Sequence, residues 1–171
     1  MSKIIWASGL ALALAACGGE KKEEATAVAV PAKLAGGLYE VSAEVTQLSS
    51  TDNTTPATKL KQGDTHVVKA CVTADGQPEP ALLSEEEGDK CEIKNSYIRN
   101  GRMSAQMSCT RGDRPGYVMP AMMGSYSAEG FDGEINTLTY FVADGDYRLT
   151  RKVTAKRLGE CPAEGTAKAP A

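Results

Sequence analysis

The chain has 171 residues, a net charge of −3 and 42% hydrophobic residues, which is the size and balance of one compact domain. A single histidine excludes any site that needs two histidine ligands, and the slight negative charge leaves no basic footprint for nucleic acid. The longest apolar run, Ile4 to Ala16, falls short of the roughly 20 residues a membrane-spanning helix requires.

That run has the layout of a secretory signal peptide. Lys3 supplies the positive start, Ile4 to Leu14 the apolar centre, and Ala15 and Ala16 the small residues before a cleavage site. Leu14-Ala15-Ala16-Cys17 resembles a bacterial lipobox. The expectation is a signal peptide over residues 1–16, cleavage before Cys17, and lipidation of the Cys17 thiol. Several acyl chains on one residue make a lasting membrane anchor. Gly18, rather than Asp, after the cysteine points to the periplasmic face of the outer membrane of a Gram-negative cell. Residues 17–35 are small, charged and alanine-rich, and read as a flexible tether. Residues 162–171 read as a flexible tail, leaving 36–161 as the folded body.

Strand signals dominate the body. Tyr39, Val41, Ala43 and Val45 alternate with polar neighbours, and His66 to Thr73 is rich in β-branched residues. Pro80 to Glu87 reads as one short helix, with Pro80 at its first position. Glu92 to Ile98 and Arg102 to Thr110 flank Asn100-Gly101, a hairpin signal. Met122 to Ala128, Phe131 to Val142 and Tyr147 to Leu158 complete the set. The fold expected is all-β: an antiparallel meander of about seven strands forming a curled sheet, half-barrel or small barrel.

The chain carries five cysteines: Cys17, Cys71, Cys91, Cys109 and Cys161. Lipidation of Cys17 leaves an even number for disulfides in an oxidising compartment. No Cys-x-x-Cys spacing suggests a zinc knuckle or a redox pair. A two-residue loop at Asn100-Gly101 would set Cys91 against Thr110. A three-residue loop, Arg99-Asn100-Gly101, sets Cys91 against Cys109, Ile93 against Met107 and Tyr97 against Met103. The second register gathers apolar residues on one face and polar residues on the other. It is therefore preferred, and it predicts the disulfides Cys91–Cys109 and Cys71–Cys161. In the chain-entropy account these contribute about 3 and about 4–5 kcal/mol.

Several ordered segments resemble a bacterial family of small exported proteins, domain-of-unknown-function family 3617. They are Gly37-Leu38-Tyr39-Glu40-Val41, Ala70-Cys71-Val72-Thr73, the Cys91 to Cys109 hairpin, Gly124-Ser125-Tyr126-Ser127, Phe131-Asp132-Gly133, and the closing Lys156-Arg157-Leu158-Gly159-Glu160-Cys161-Pro162. The resemblance runs from about Gly36 to Pro162, with Tyr39 and Glu160 departing mildly from the family pattern. It implies a four-cysteine, β-rich domain and supplies no activity.

No catalytic constellation, phosphate loop or cofactor motif is present, so the expectation is a non-enzymatic binding or accessory module with an unknown protein or small-molecule partner. An alternative is a carrier of a small apolar ligand in a half-barrel lined by Ile93, Tyr97, Met103 and Met107. His66, beside Asp64 and Thr65, reads as an ordinary surface residue. Glu85-Glu86-Glu87 reads as a solvated helix end, and Arg111-Gly112-Asp113 as a turn. Met119, Met122 and Met123 offer soft thioethers suited to Cu(I). Pro120 and strand alternation set them on different faces, so the expectation is core packing and no metal.

Overall fold

The computed structural model describes residues 31–162. The alternating pattern is realised as seven strands: β1 (Gly37–Ser50), β2 (Thr65–Val72), β3 (Lys90–Arg99), β4 (Arg102–Arg111), β5 (Arg114–Tyr126), β6 (Gly130–Phe141) and β7 (Tyr147–Gly159). All neighbours are antiparallel, in the order β2-β1-β7-β6-β5-β4-β3. The sheet curls into a half-barrel, with β2 and β3 as its edges. Tyr39, Val41, Ala43 and Val45 of β1 point inward and are buried, while Glu40, Glu44 and their polar neighbours point out. Met103, Met107, Met122, Ile135 and Val153 pack with Tyr39, Val41 and Ala43 in one core cluster, and Val45 packs with Tyr147 and Leu149 in a second.

Gly124 and Gly133 stand opposite each other, and a Cβ on Gly124 would lie 2.1 Å from the Asp132 carbonyl oxygen. Only glycine fits at this pair without a clash. Pro120 also lies within β5, so that strand begins at Arg114, well before the expected start at Met122. The β4–β5 ladder skips from Gln106–Ala121 to Cys109–Val118, so the proline lies where that ladder is interrupted.

The β3–β4 hairpin corrects the expected loop. Asn100 and Gly101 both have positive φ, 53° and 75°, and Arg99 pairs with Arg102. This is the two-residue turn that asparagine and glycine favour. Tyr97 therefore faces Ser104, and Ile98, instead of Tyr97, faces Met103. A bulge at Lys94 then absorbs one residue, so Ile93 faces Met107 and Cys91 faces Cys109. The Cys91–Cys109 disulfide joins this pair, with Cα atoms 4.0 Å apart. The Cys71–Cys161 disulfide straddles β1: Leu38 pairs with Cys71 on one side and with Gly159 on the other.

Two further expectations shift. The helix expected over Pro80 to Glu87 is a single 3-10 turn, Pro80–Leu82. Beyond it, the guanidinium of Arg151 takes the carbonyls of Leu83 and Ser84 at 2.9 and 2.8 Å, groups that a continuing helix would need for its own bonds. Leu34, read as tether, is fully buried in the core, and the nearby Tyr39 hydroxyl donates to the Ala35 carbonyl at 2.8 Å. The signal peptide, Cys17, most of the tether and the tail after Pro162 lie outside the described residues.

Candidate functional site

The two edges of the half-barrel are treated differently. β3 carries Lys90, Glu92 and Lys94 along an exposed strand, with the bulge at Lys94 and an ion pair between Lys94 and Glu92. Charge and a bulge are the usual devices that stop an edge from pairing. β2 reads Thr65-His66-Val67-Val68-Lys69, with one charged residue, Lys69, paired with Glu40 of β1 at 3.1 Å, and Val67 is 54% exposed.

Hydrogen bonding along β2 follows a strict alternation. Its register with β1 runs without a bulge from Gly37–Val72 to Glu44–Thr65. Cys71 turns its backbone outward: its N–H donates to the Glu79 carboxylate at 3.2 Å, and its carbonyl accepts the Glu79 N–H at 3.0 Å. With a period of two, Val67 and Lys69 turn the same way. Among the described residues nothing pairs with their outward N–H and C=O groups.

Beside this edge lies a groove of about 720 Å³. One side is His66 to Lys69, and the other is Pro80, Ala81 and the stretch Ser84 to Asp89 that leads to Cys91. Its size falls within the range of ligand sites, roughly 300–1,000 Å³. The far side is built by two arginines reaching from the sheet. Arg111, at the end of β4, binds Asp89 through Nε–Oδ1 at 2.8 Å and Nη2–Oδ2 at 2.9 Å. Arg111 also meets Glu85 and Glu86 at 3.3 Å, the Ala57 carbonyl and the Tyr147 hydroxyl at 3.2 Å. The Tyr147 hydroxyl donates to Glu85 Oε1. With Arg151 holding Leu83 and Ser84, the segment is fixed at several successive residues.

This network revises the reading of Glu85-Glu86-Glu87 as a solvated end. Glu85 is only 3% exposed, while Glu87 is exposed. Burial pushes the Glu85 carboxyl above its ordinary value, against the opposing pull of the Tyr147 hydrogen bond and the two arginines. Burial and the Glu85 charge likewise raise the Tyr147 phenol. Glu85 Oε2 and Arg151 Nε are buried without a hydrogen-bond partner among the described residues. The first residue of Arg111-Gly112-Asp113 is thus the hub of a buried ion network.

The four residues assigned to an interior ligand site are not brought together as one lining. Met103 and Met107 are buried in the core and Ile93 packs partly buried against it. Tyr97 lies on the outer face, 54% exposed, because the two-residue turn and the Lys94 bulge displace it from the inward register. Met122 is buried while Met119 and Met123 are exposed, so the three thioethers do not share a face. Among the described residues no group of three or more His, Cys, Asp or Glu side chains is arranged to hold a metal ion.

The sequence matches the family described as protein of unknown function, DUF3617, over residues 34–161, which spans the buried Leu34, all seven strands and both disulfides. The chain belongs to this family. No curated protein and no solved structure matches it. In this DUF3617 member the matched region ends on Cys161 and so includes every residue that shapes the groove.

Proposed function

We propose that this chain is a lipid-anchored cell-envelope protein, held at the outer membrane through Cys17, that works as a non-enzymatic binding module. Its binding surface on this reading is the groove beside β2. The observation that carries it is the contrast between that groove, about 720 Å³ and bounded by a free strand edge, and an interior filled by Met103, Met107, Met122 and Ile135. Support for an interior carrier is correspondingly weak, since Tyr97 lies outside and the two methionines are packed. The signal-peptide pattern and Leu14-Ala15-Ala16-Cys17 support the anchor. The described chain enters the sheet where Gly37 pairs with Val72, whereas the groove lies toward the opposite end of β2. A tethered domain would then offer the groove away from its attachment point.

The test is site-specific photo-crosslinking in cells making the full chain. A photoreactive residue at Val67 is predicted to capture a discrete partner, and one at Tyr140 on the outer face of β6 to capture none. Equal capture at both positions, or none at Val67, would contradict the reading.

A further inference from the structure

We propose that the groove takes an extended peptide segment of a partner protein, added as an eighth strand to the free edge of β2, with a lysine or arginine side chain against the acidic Glu85–Asp89 side. The proposal rests on the groove reading above and names the partner's chemistry. Three observations carry it.

The first is the backbone. Val67 and Lys69 present outward donors and acceptors in a row, and Glu79 already satisfies the next such residue, Cys71, with its own N–H and its carboxylate. The molecule therefore closes one end of the edge by itself and leaves the other end open over the groove. An extended peptide supplies donors and acceptors at this spacing, and a compact ligand does not.

The second is the difference between the edges. β3 carries Lys90, Glu92 and Lys94 and a bulge, whereas β2 runs without a bulge and its one charged residue, Lys69, is paired with Glu40 of β1. A strand edge without a bulge is a ready template for pairing with another chain.

The third is charge. Glu85, Glu86, Glu87 and Asp89 line the far side, against the guanidiniums of Arg111 and Arg151. Glu85, Glu86 and Asp89 are already paired with Arg111, whereas Glu87 is exposed with no ion partner among the described residues. A cationic side chain complements this side. A second copy of this chain does not, because edge-to-edge pairing would bring two such acidic sides toward each other.

The experiment uses the full chain in detergent micelles and a short blocked peptide of alternating threonine and valine with one central lysine. Peptide binding is predicted to slow amide exchange at Val67 and Lys69. Replacing the central lysine by glutamate should weaken binding about ten-fold, and Glu87→Lys should reverse that preference. N-methylation of the peptide's edge-facing amides should abolish binding, as should Val67→Pro, which removes an outward donor and leaves the β1 ladder intact. Should Val67→Pro fail to fold, the N-methylated peptide decides alone. Binding that survives N-methylation overturns strand addition. So does protection of Val67 and Lys69 before any peptide is added, which would mean that residues 1–30 or a second copy already hold the edge. Absence of peptide binding together with specific Val67 crosslinks in cells overturns the strand proposal and leaves the groove reading standing. Absence of both overturns both.

Discussion

Cys91 stands directly opposite Cys109, with Cα atoms 4.0 Å apart, only because Lys94 is an extra residue in β3. From the turn, Arg99 to Asn95 pair with Arg102 to Gln106, and that register alone would set Cys91 against Thr110. The bulge at Lys94 moves the remaining residues by one. Deleting Lys94 therefore leaves Cys91 facing Cys109 in an unbroken ladder. The deletion variant is expected to keep the Cys91–Cys109 disulfide in non-reducing peptide maps and to change stability by less than about 1 kcal/mol. Scrambled or free thiols would contradict the bulge.

The buried carboxyl of Glu85 makes a prediction about pH. Its folded-state value is raised by burial, so its contribution to stability is fully present below the unfolded value, near pH 4.3, and is lost as pH rises through the folded value. Glu85→Gln keeps the shape and removes the titration. The stability of the native chain relative to Glu85→Gln should fall as pH increases from about 4 toward neutrality. Denaturant unfolding over that range measures it, and a constant difference between the two proteins would contradict the assignment.

Methionine chemistry gives a third. Met122 is 2% exposed inside the core, whereas Met123 is 70% exposed on the outer face. Met122→Leu is expected to leave Cu(I) affinity at background and to change stability by less than about 1.5 kcal/mol, as volume-conserving swaps do. Competition with a Cu(I) chelator checks it. Tight stoichiometric binding that the substitution removes would make this a metal-handling protein.

The anchor gives a fourth. Cys17→Ser should abolish labelling by a clickable palmitate analogue and release exported protein into soluble fractions. Undiminished labelling would contradict lipidation at that residue.

Much of this fold is readable from local chemistry. Alternation from Tyr39 to Thr46 marks a half-buried strand and Asn100-Gly101 marks a hairpin; the pairs Cys91–Cys109 and Cys71–Cys161 are those expected, but Cys91 reaches Cys109 through the Lys94 bulge and not through a three-residue loop. What escapes the sequence depends on partners far along the chain. Nothing about Lys94 among other strand residues marks it as the bulge. Three consecutive glutamates look alike until Tyr147 and Arg111 select Glu85 for burial. The signal that was available is the odd placement of arginines: Arg151 falls at an inward position of β7, where the strand pattern calls for an apolar residue. An inward arginine demands buried acceptors, and the Leu83–Ser84 carbonyls and Glu85 are what it finds. The open edge of β2 was legible only once strand order was known, since His66 to Thr73 would read the same in the middle of a sheet.

The account stands on that edge being open in the full chain, and residue-resolved amide exchange of the protein without added ligand tests it most directly. Val67 and Lys69 are predicted to exchange rapidly, while His66, Val68 and Ala70, whose N–H groups face β1, stay protected. Uniform protection from His66 through Ala70 would show the edge already occupied and would contradict the groove as a site for a partner.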